Sequence, residues 1–154
     1  ITFAILLNLA SVVNADEKSV LWGFITRYAP AASPENHALL DRLVDYAVIY
    51  YQDFVKPIKR YRAASKTEAA ALSDLADTLA ALPPEAEAEA IQYEVYEVGK
   101  RHDFENLRTW FKALYEILLG QSEGPRIGSF IVLYGVKESV ALIRRALAGD
   151  DLAT

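Results

Sequence analysis

Apolar side chains recur three and four positions apart along almost the whole chain, and no stretch alternates apolar with polar residues for long enough to make a half-buried strand. That spacing puts each apolar set on one side of an α-helix, so the segments must be helices that bury a stripe against one another. Leu40, Leu43, Val44, Ala47, Tyr51, Phe54 and Val55 form one such stripe, and Leu107, Trp110, Phe111, Leu114, Ile117 and Leu118 form another. Burying a Leu or Phe side chain stabilises by about 1.5–3 kcal/mol, and the chain has enough of them for a real core. The expected fold is all-α, a multi-helix bundle or cage of about seven to eight helices.

Caps and breakers divide the helices. A first helix is expected over 3–13, then Asp16 is placed to cap a second that runs through Trp22, Phe24, Ile25 and Tyr28. Pro30 and Pro34 break the chain, and Ser33 with Pro34 in the first turn suits the start of a third helix, which Pro57 ends. Ser65 and Glu68 have capping-box spacing for a fourth helix reaching Leu82. Pro83-Pro84 is the strongest breaker and divides the expected subdomains, 1–82 and 85–149, ahead of a tail at 150–154 expected to fray. The second subdomain is read as helices over 87–100 and 105–119, a left-handed residue at Gly120, a Gly124-Pro125 turn, and short helices over 129–134 and 137–148.

Composition excludes several functions. With 53% hydrophobic and 24% charged residues among 154, the chain is globular rather than disordered. It has no cysteine, so disulfides, thiolate metal sites and cysteine nucleophiles are out, and a cytoplasmic location is compatible. A net charge of −5 argues against a uniformly basic nucleic-acid binder but leaves room for a local basic patch. Residues 1–15 resemble a secretory leader, yet they lack a basic start, and Asn8 and Ser11 interrupt the apolar run. The stretch is also too short to span a bilayer, and a helix belonging to a larger protein is the expected reading. His37 and His102 stand far apart without metal-ligand spacing, and Glu85, Glu87 and Glu89 read as favourable charge near a helix start.

The basic residues are concentrated. Lys56, Lys59, Arg60 and Arg62, with Tyr61 among them, make a connector of four cations and no acid, set against a strongly acidic stretch over 68–97. The functional reading is backbone and base contact with RNA; the plainer one is a solvated loop that steadies a helix C-terminus. Lys100, Arg101, Arg108 and Lys112 form a second group, with Arg108 and Lys112 on one helix face, where ordinary surface charge is the competing reading. Arg126 stands between a Gly-Pro turn and Gly128 just before a helix, suited to a phosphate or base edge, or to bracing the turn against a carboxylate such as Glu123. Trp22 and Trp110 could stack on bases but lie on or beside core stripes, and one member each of Tyr50/Tyr51 and Tyr93/Tyr96 must point away from the core.

Two stretches, LLNLASVVNADEKSVLWGFITRYAP at 6–30 and NLRTWFKALYEILLGQSEGPRIGSFIVLYG at 106–135, resemble the C-terminal region of class I lysyl-tRNA synthetases. YYQDFVKPIKRYR at 50–62 and IQYEVYEVGKRHDF at 91–104 extend the resemblance over nearly the whole chain, and the GPRIG turn beside WFKALYEILLG is its most specific piece. The resemblance implies a helical cage that receives the anticodon stem-loop of lysine tRNA. It also implies an N-terminal catalytic domain elsewhere that uses ATP with Mg to activate lysine. The His-x-Gly-His and Lys-Met-Ser-Lys-Ser motifs of that domain are absent: His37 is followed by Ala-Leu-Leu, and 64–67 is not the loop. By itself the chain is therefore expected to be non-catalytic, with no cofactor of its own, no metal, no membrane and no DNA partner. Glutamyl-tRNA synthetases carry a related helical region. The alternatives from other classes are a helical scaffold or protein-interaction domain, and a secreted helical protein entered through residues 1–15.

Overall fold

A computed structural model of the chain describes residues 1–153, and they form eight α-helices and one π-helical turn, with no β-strand among them. The fold is all-α, as the apolar spacing requires. The chain divides into two compact units, one covering Ile1–Lys59 and the other starting at Arg60.

The first unit holds α1 (Phe3–Val12), α2 (Lys18–Tyr28), α3 (Ala38–Tyr50) and the π turn Tyr51–Val55. Thr2 caps α1 by accepting from the Ile5 amide at 3.3 Å. Leu6, Leu9, Leu21, Ile25, Val44, Ala47 and Tyr51 are fully buried and supply the core. The two polar residues that interrupt the first apolar run, Asn8 and Ser11, are buried as well, and Asn8 donates to the Ala4 carbonyl at 2.8 Å. Asp41 on α3 accepts from Lys18 at 3.1 Å and from the Trp22 indole at 2.9 Å, which holds α2 to α3. The Lys18 bond, then the Trp22 bond, keep the Asp41 carboxyl below the usual carboxylate range.

Three local expectations are corrected here. The residue before α2 is Glu17 rather than Asp16, and it makes no side-chain cap. The third helix does not begin at Ser33-Pro34, because Ser33 and Asn36 close a turn on themselves: Asn36 Oδ1 accepts from Ser33 N at 2.8 Å and Ser33 Oγ from Asn36 N at 3.2 Å. Such side-chain bonds offer the backbone an alternative to the helix, and α3 starts only at Ala38. Phe54, expected on the buried stripe, is 59% exposed. The π turn, closed by Lys56 N donating to Tyr51 O at 2.8 Å, takes five residues per hydrogen-bonded loop and so rotates Phe54 out of phase while Val55 stays buried.

The second unit holds α4 (Lys66–Ala80), α5 (Ala88–Arg101), α6 (Leu107–Leu118), α7 (Ile127–Tyr134) and α8 (Val136–Leu147). The capping box at Ser65 and Glu68 is complete in both directions. Helix α4 packs on α8 and on α5, and α5 packs on α7, so the Pro83-Pro84 break lies inside this unit and the compact units divide at Lys59/Arg60 instead. Leu72, Leu79, Ile91, Val95, Val98 and Trp110 are fully buried at its centre. Gly120 takes φ +71° and Gly135 φ +114°, conformations that favour glycine, and they end α6 and separate α7 from α8. Of the tail expected to fray, Thr154 lies outside the described residues, while Leu152 is buried at 5% exposure in a cleft shared with Tyr61, Ile117 and Ala146.

Candidate nucleic-acid interface

Within the second unit, packing sets the position of α6 closely. Asn106 caps the helix by accepting from Thr109 N at 2.9 Å. The Trp110 indole, fully buried, donates to the Val95 carbonyl at 3.0 Å and so ties α6 to α5. Gly99 allows that approach, since a Cβ there would lie 2.9 Å from Trp110 Nε1 and closer still to its Cδ1. After α6 the chain folds back: Gln121 N returns to Tyr115 O at 3.2 Å, and the Tyr115 hydroxyl donates to Pro125 O at 2.7 Å. Gly128 rests against α5, where its amide donates to the buried Gln92 Oε1 at 2.7 Å.

This fold-back opens a groove lined by Arg108, Phe111, Lys112 and Tyr115 from α6 and by Ser122, Glu123 and Gly124 from the returning loop. Residues 108, 111, 112 and 115 recur at helical spacing, so one face carries two cations and two aromatic rings. Phe111 meets Tyr96 of α5 edge-on, ring centres 5.1 Å apart. Burial, followed by the neighbouring Tyr96, raises the Tyr115 phenol above its ordinary value. Arg108 and Lys112 have no ion-pair partner among the described residues. A planar group could lie on the rings with its charge or edge facing Arg108, Lys112 and Glu123, which is the chemistry of an unstacked nucleotide.

The other basic residues are arranged differently. Arg126 pairs with Glu89, at 2.6 and 3.1 Å through Nη1 and Nη2, and not with Glu123. Both side chains are well exposed, and the Glu89 bond raises the Arg126 pKa. Arg60 N donates to Gly120 O at 2.8 Å and Tyr61 lies against Gly120, so the connector meets the end of α6. Arg62 is held by Glu68 at 2.7 Å and Glu116 at 2.9 Å. The Arg62 hydrogen bond is the main reason the Glu68 carboxyl is held down to about 2. Arg101 pairs with Asp74 at 3.0 Å beside His102, which meets the same carboxylate at 2.9 Å, and Lys100 pairs with Glu97 at 3.2 Å.

The remaining two cations belong to the first unit. Lys56 is exposed. Lys59 is buried at 8% exposure; its ammonium donates to Ser11 O at 2.9 Å and Asn14 Oδ1 at 2.8 Å and lies 4.8 Å from the Tyr51 ring centre. Burial, with Lys56 nearby, brings its pKa down to about 8. Both tryptophans are core residues, and Tyr50 is exposed where Tyr51 is buried, but Tyr93 and Tyr96 are both exposed, at 60% and 40%. Glu123, read from the sequence only as a brace for Arg126, lines the groove instead, and Tyr115 has no place in the sequence reading although it continues the Arg108, Lys112 spacing by three residues. No group of His, Asp or Glu suited to a metal occurs among the described residues, and none of their helices is long and apolar enough to cross a membrane.

No family profile matches the chain, and no solved structure does. Known proteins do match. A lysine–tRNA ligase of Roseobacter denitrificans is 57% identical over 153 residues, 99% of this chain and 29% of the relative. Those of Rickettsia bellii and Rickettsia felis are 53% and 51% identical over 147 residues, 96% of this chain and 28% of each relative. The chain thus spans less than a third of the length of these relatives. Identity at this level over nearly all its residues makes the chain a member of the lysine–tRNA ligase family.

Proposed function

We propose that the chain is the C-terminal anticodon-binding region of a class I lysine–tRNA ligase, and that it docks the anticodon stem-loop of lysine tRNA on the α6 groove. In the full-length protein, attachment of lysine would fall to a separate N-terminal domain that binds ATP with Mg. The observation that carries this reading is the groove itself: on a chain of net charge −5, Arg108 and Lys112 form no ion pair among the described residues and stand beside the rings of Phe111 and Tyr115. Cations hold the phosphates of a loop and aromatic faces accept its splayed bases. Arg126 would join from the adjoining turn, because a solvent-exposed pair with Glu89 is screened and easily exchanged for phosphate. Arg62, Arg101 and Lys59 serve mainly as internal braces, and Arg60 and Tyr61 flank the groove-bearing helix at its C-terminal end.

A protein-contact role has one observation in its favour. Tyr46, Tyr50 and Phe54 expose an apolar strip on the first unit, at 61%, 45% and 59%. The two readings separate by titration of the 154-residue chain with lysine tRNA at low salt. RNA docking predicts binding that weakens steeply with salt and is stronger than for a tRNA of altered anticodon. A contact domain predicts no binding.

A further inference from the structure

Glu123 is out of place in a groove for phosphate. It lines the same opening as Arg108 and Lys112, is exposed, and forms no ion pair among the described residues; the arginine nearest to it in sequence, Arg126, is taken by Glu89. A carboxylate repels the RNA backbone, so its presence there opposes affinity unless it meets a hydrogen-bond donor. The surrounding side chains supply the rest of a base site. Phe111 and Tyr115 form the floor, the Ser122 hydroxyl can donate or accept, and the loop backbone at Gly124 comes so close to the Tyr115 ring that a Cβ at 124 would lie 2.5 Å from Cδ1. That contact, with the Tyr115 hydroxyl donating to Pro125 O at 2.7 Å, fixes the loop at Gly124 and Pro125 against Tyr115.

We infer that Glu123 is a specificity-determining residue, reading one unpaired loop base that lies on Phe111 and Tyr115 and presents amino or imino N–H donors to the carboxylate. An ionised carboxylate only accepts hydrogen bonds, so it favours bases with adjacent N–H groups or an exocyclic amino group. Uracil, whose single N–H lies between two carbonyl oxygens, is disfavoured there. Arg108 and Lys112 hold the flanking phosphates, contributing affinity without sequence preference. The inference rests on the proposed docking of an RNA loop in this groove.

The test uses the whole chain and RNA hairpins with the anticodon stem-loop sequence of lysine tRNA, in which each loop base is exchanged in turn between an amino-bearing base and uracil. Wild type should discriminate at one loop position by about tenfold, and Glu123→Gln should abolish or invert that preference, since the amide can also donate. Arg108→Ala with Lys112→Ala should weaken all hairpins alike and reduce the salt dependence. If the double variant behaves so but Glu123→Gln leaves base preference untouched, the role of Glu123 is overturned and RNA docking stands. If wild type binds no hairpin at low salt, or the double variant binds as wild type does, docking in this groove is overturned and the inference with it. Circular dichroism of each variant confirms that the helices are intact.

Discussion

Arg126 reaches across to Glu89 on α5, with Nη1 and Nη2 of its guanidinium donating to the carboxylate at 2.6 and 3.1 Å, and bypasses Glu123 in its own turn. The pair links the N-terminal turn of α5 to the start of α7, and it leaves Glu123 facing the groove. If the pair is chiefly an exchangeable brace, Glu89→Gln should preserve the fold and strengthen RNA binding severalfold by releasing Arg126 to phosphate. Arg126→Ala should weaken binding and reduce the salt slope by about one unit or less. Unchanged affinity in both variants would remove Arg126 from the interface.

The Arg62–Glu68 pair predicts acid sensitivity in the second unit. Glu68 titrates near 2 in the folded chain against an ordinary 4.5, so from pH 4.5 down to 2 the unfolded chain binds the proton that the folded chain refuses. The stabilisation is complete above the ordinary value and is lost as pH falls through that window. After solvent screening of the half-exposed Arg62, it amounts to about 1–2 kcal/mol at neutral pH. Urea denaturation of Glu68→Gln should show that deficit at pH 7 and a much smaller one near pH 2.5; an equal deficit at both would assign the effect to the lost cap rather than to charge.

Lys59 gives the opposite slope. Its ammonium titrates near 8 when folded against an ordinary 10.5, so between those values the unfolded chain holds a proton that the folded chain has released. Its contribution to stability therefore rises with pH across that interval, and below pH 8 burial of the charge opposes folding. The stability difference between wild type and Lys59→Met should move in favour of wild type between pH 7.5 and 10. A flat difference would show that Lys59 titrates normally.

The close approach of α5 and α6 can be tested at Gly99. A methyl group there meets the Trp110 ring, which is fully buried and bonded to Val95, so it cannot turn aside without breaking that bond. Gly99→Ala should destabilise the second unit by about 1–3 kcal/mol, the usual cost of overpacking, despite alanine's better helix propensity. A net gain in melting temperature would mean that the helices separate easily.

Much of the fold is legible in the sequence, and where sequence and structure differ the reasons are physical. The apolar spacing locates the eight helices of the described residues, and the capping box at Ser65 and Glu68, the left-handed Gly120 and the buried stripe through Trp110 and Leu114 follow from local rules that no tertiary contact overrides. Phe54 falls on the expected buried stripe yet is exposed because a π turn shifts phase without a composition cue, and Ser33-Pro34 does not start the helix because Asn36 competes for the same backbone groups. The basic residues were visible as types, but sequence does not show which acids they meet. Arg62, Arg101 and Arg126 find theirs 6, 27 and 37 positions away, and only the fold reveals that Arg108 and Lys112 find none among the described residues.

Salt-dependent binding of the anticodon stem-loop hairpin to wild type and to the Arg108→Ala/Lys112→Ala variant tests the central claim most directly. Each phosphate contact on a single-stranded loop contributes about 0.7 to the slope of log K against log salt. The account predicts a slope about 1.4 smaller in the double variant, with affinity at low salt reduced at least tenfold. Identical slopes and affinities would contradict it, for the RNA would then bind elsewhere on the chain or not at all.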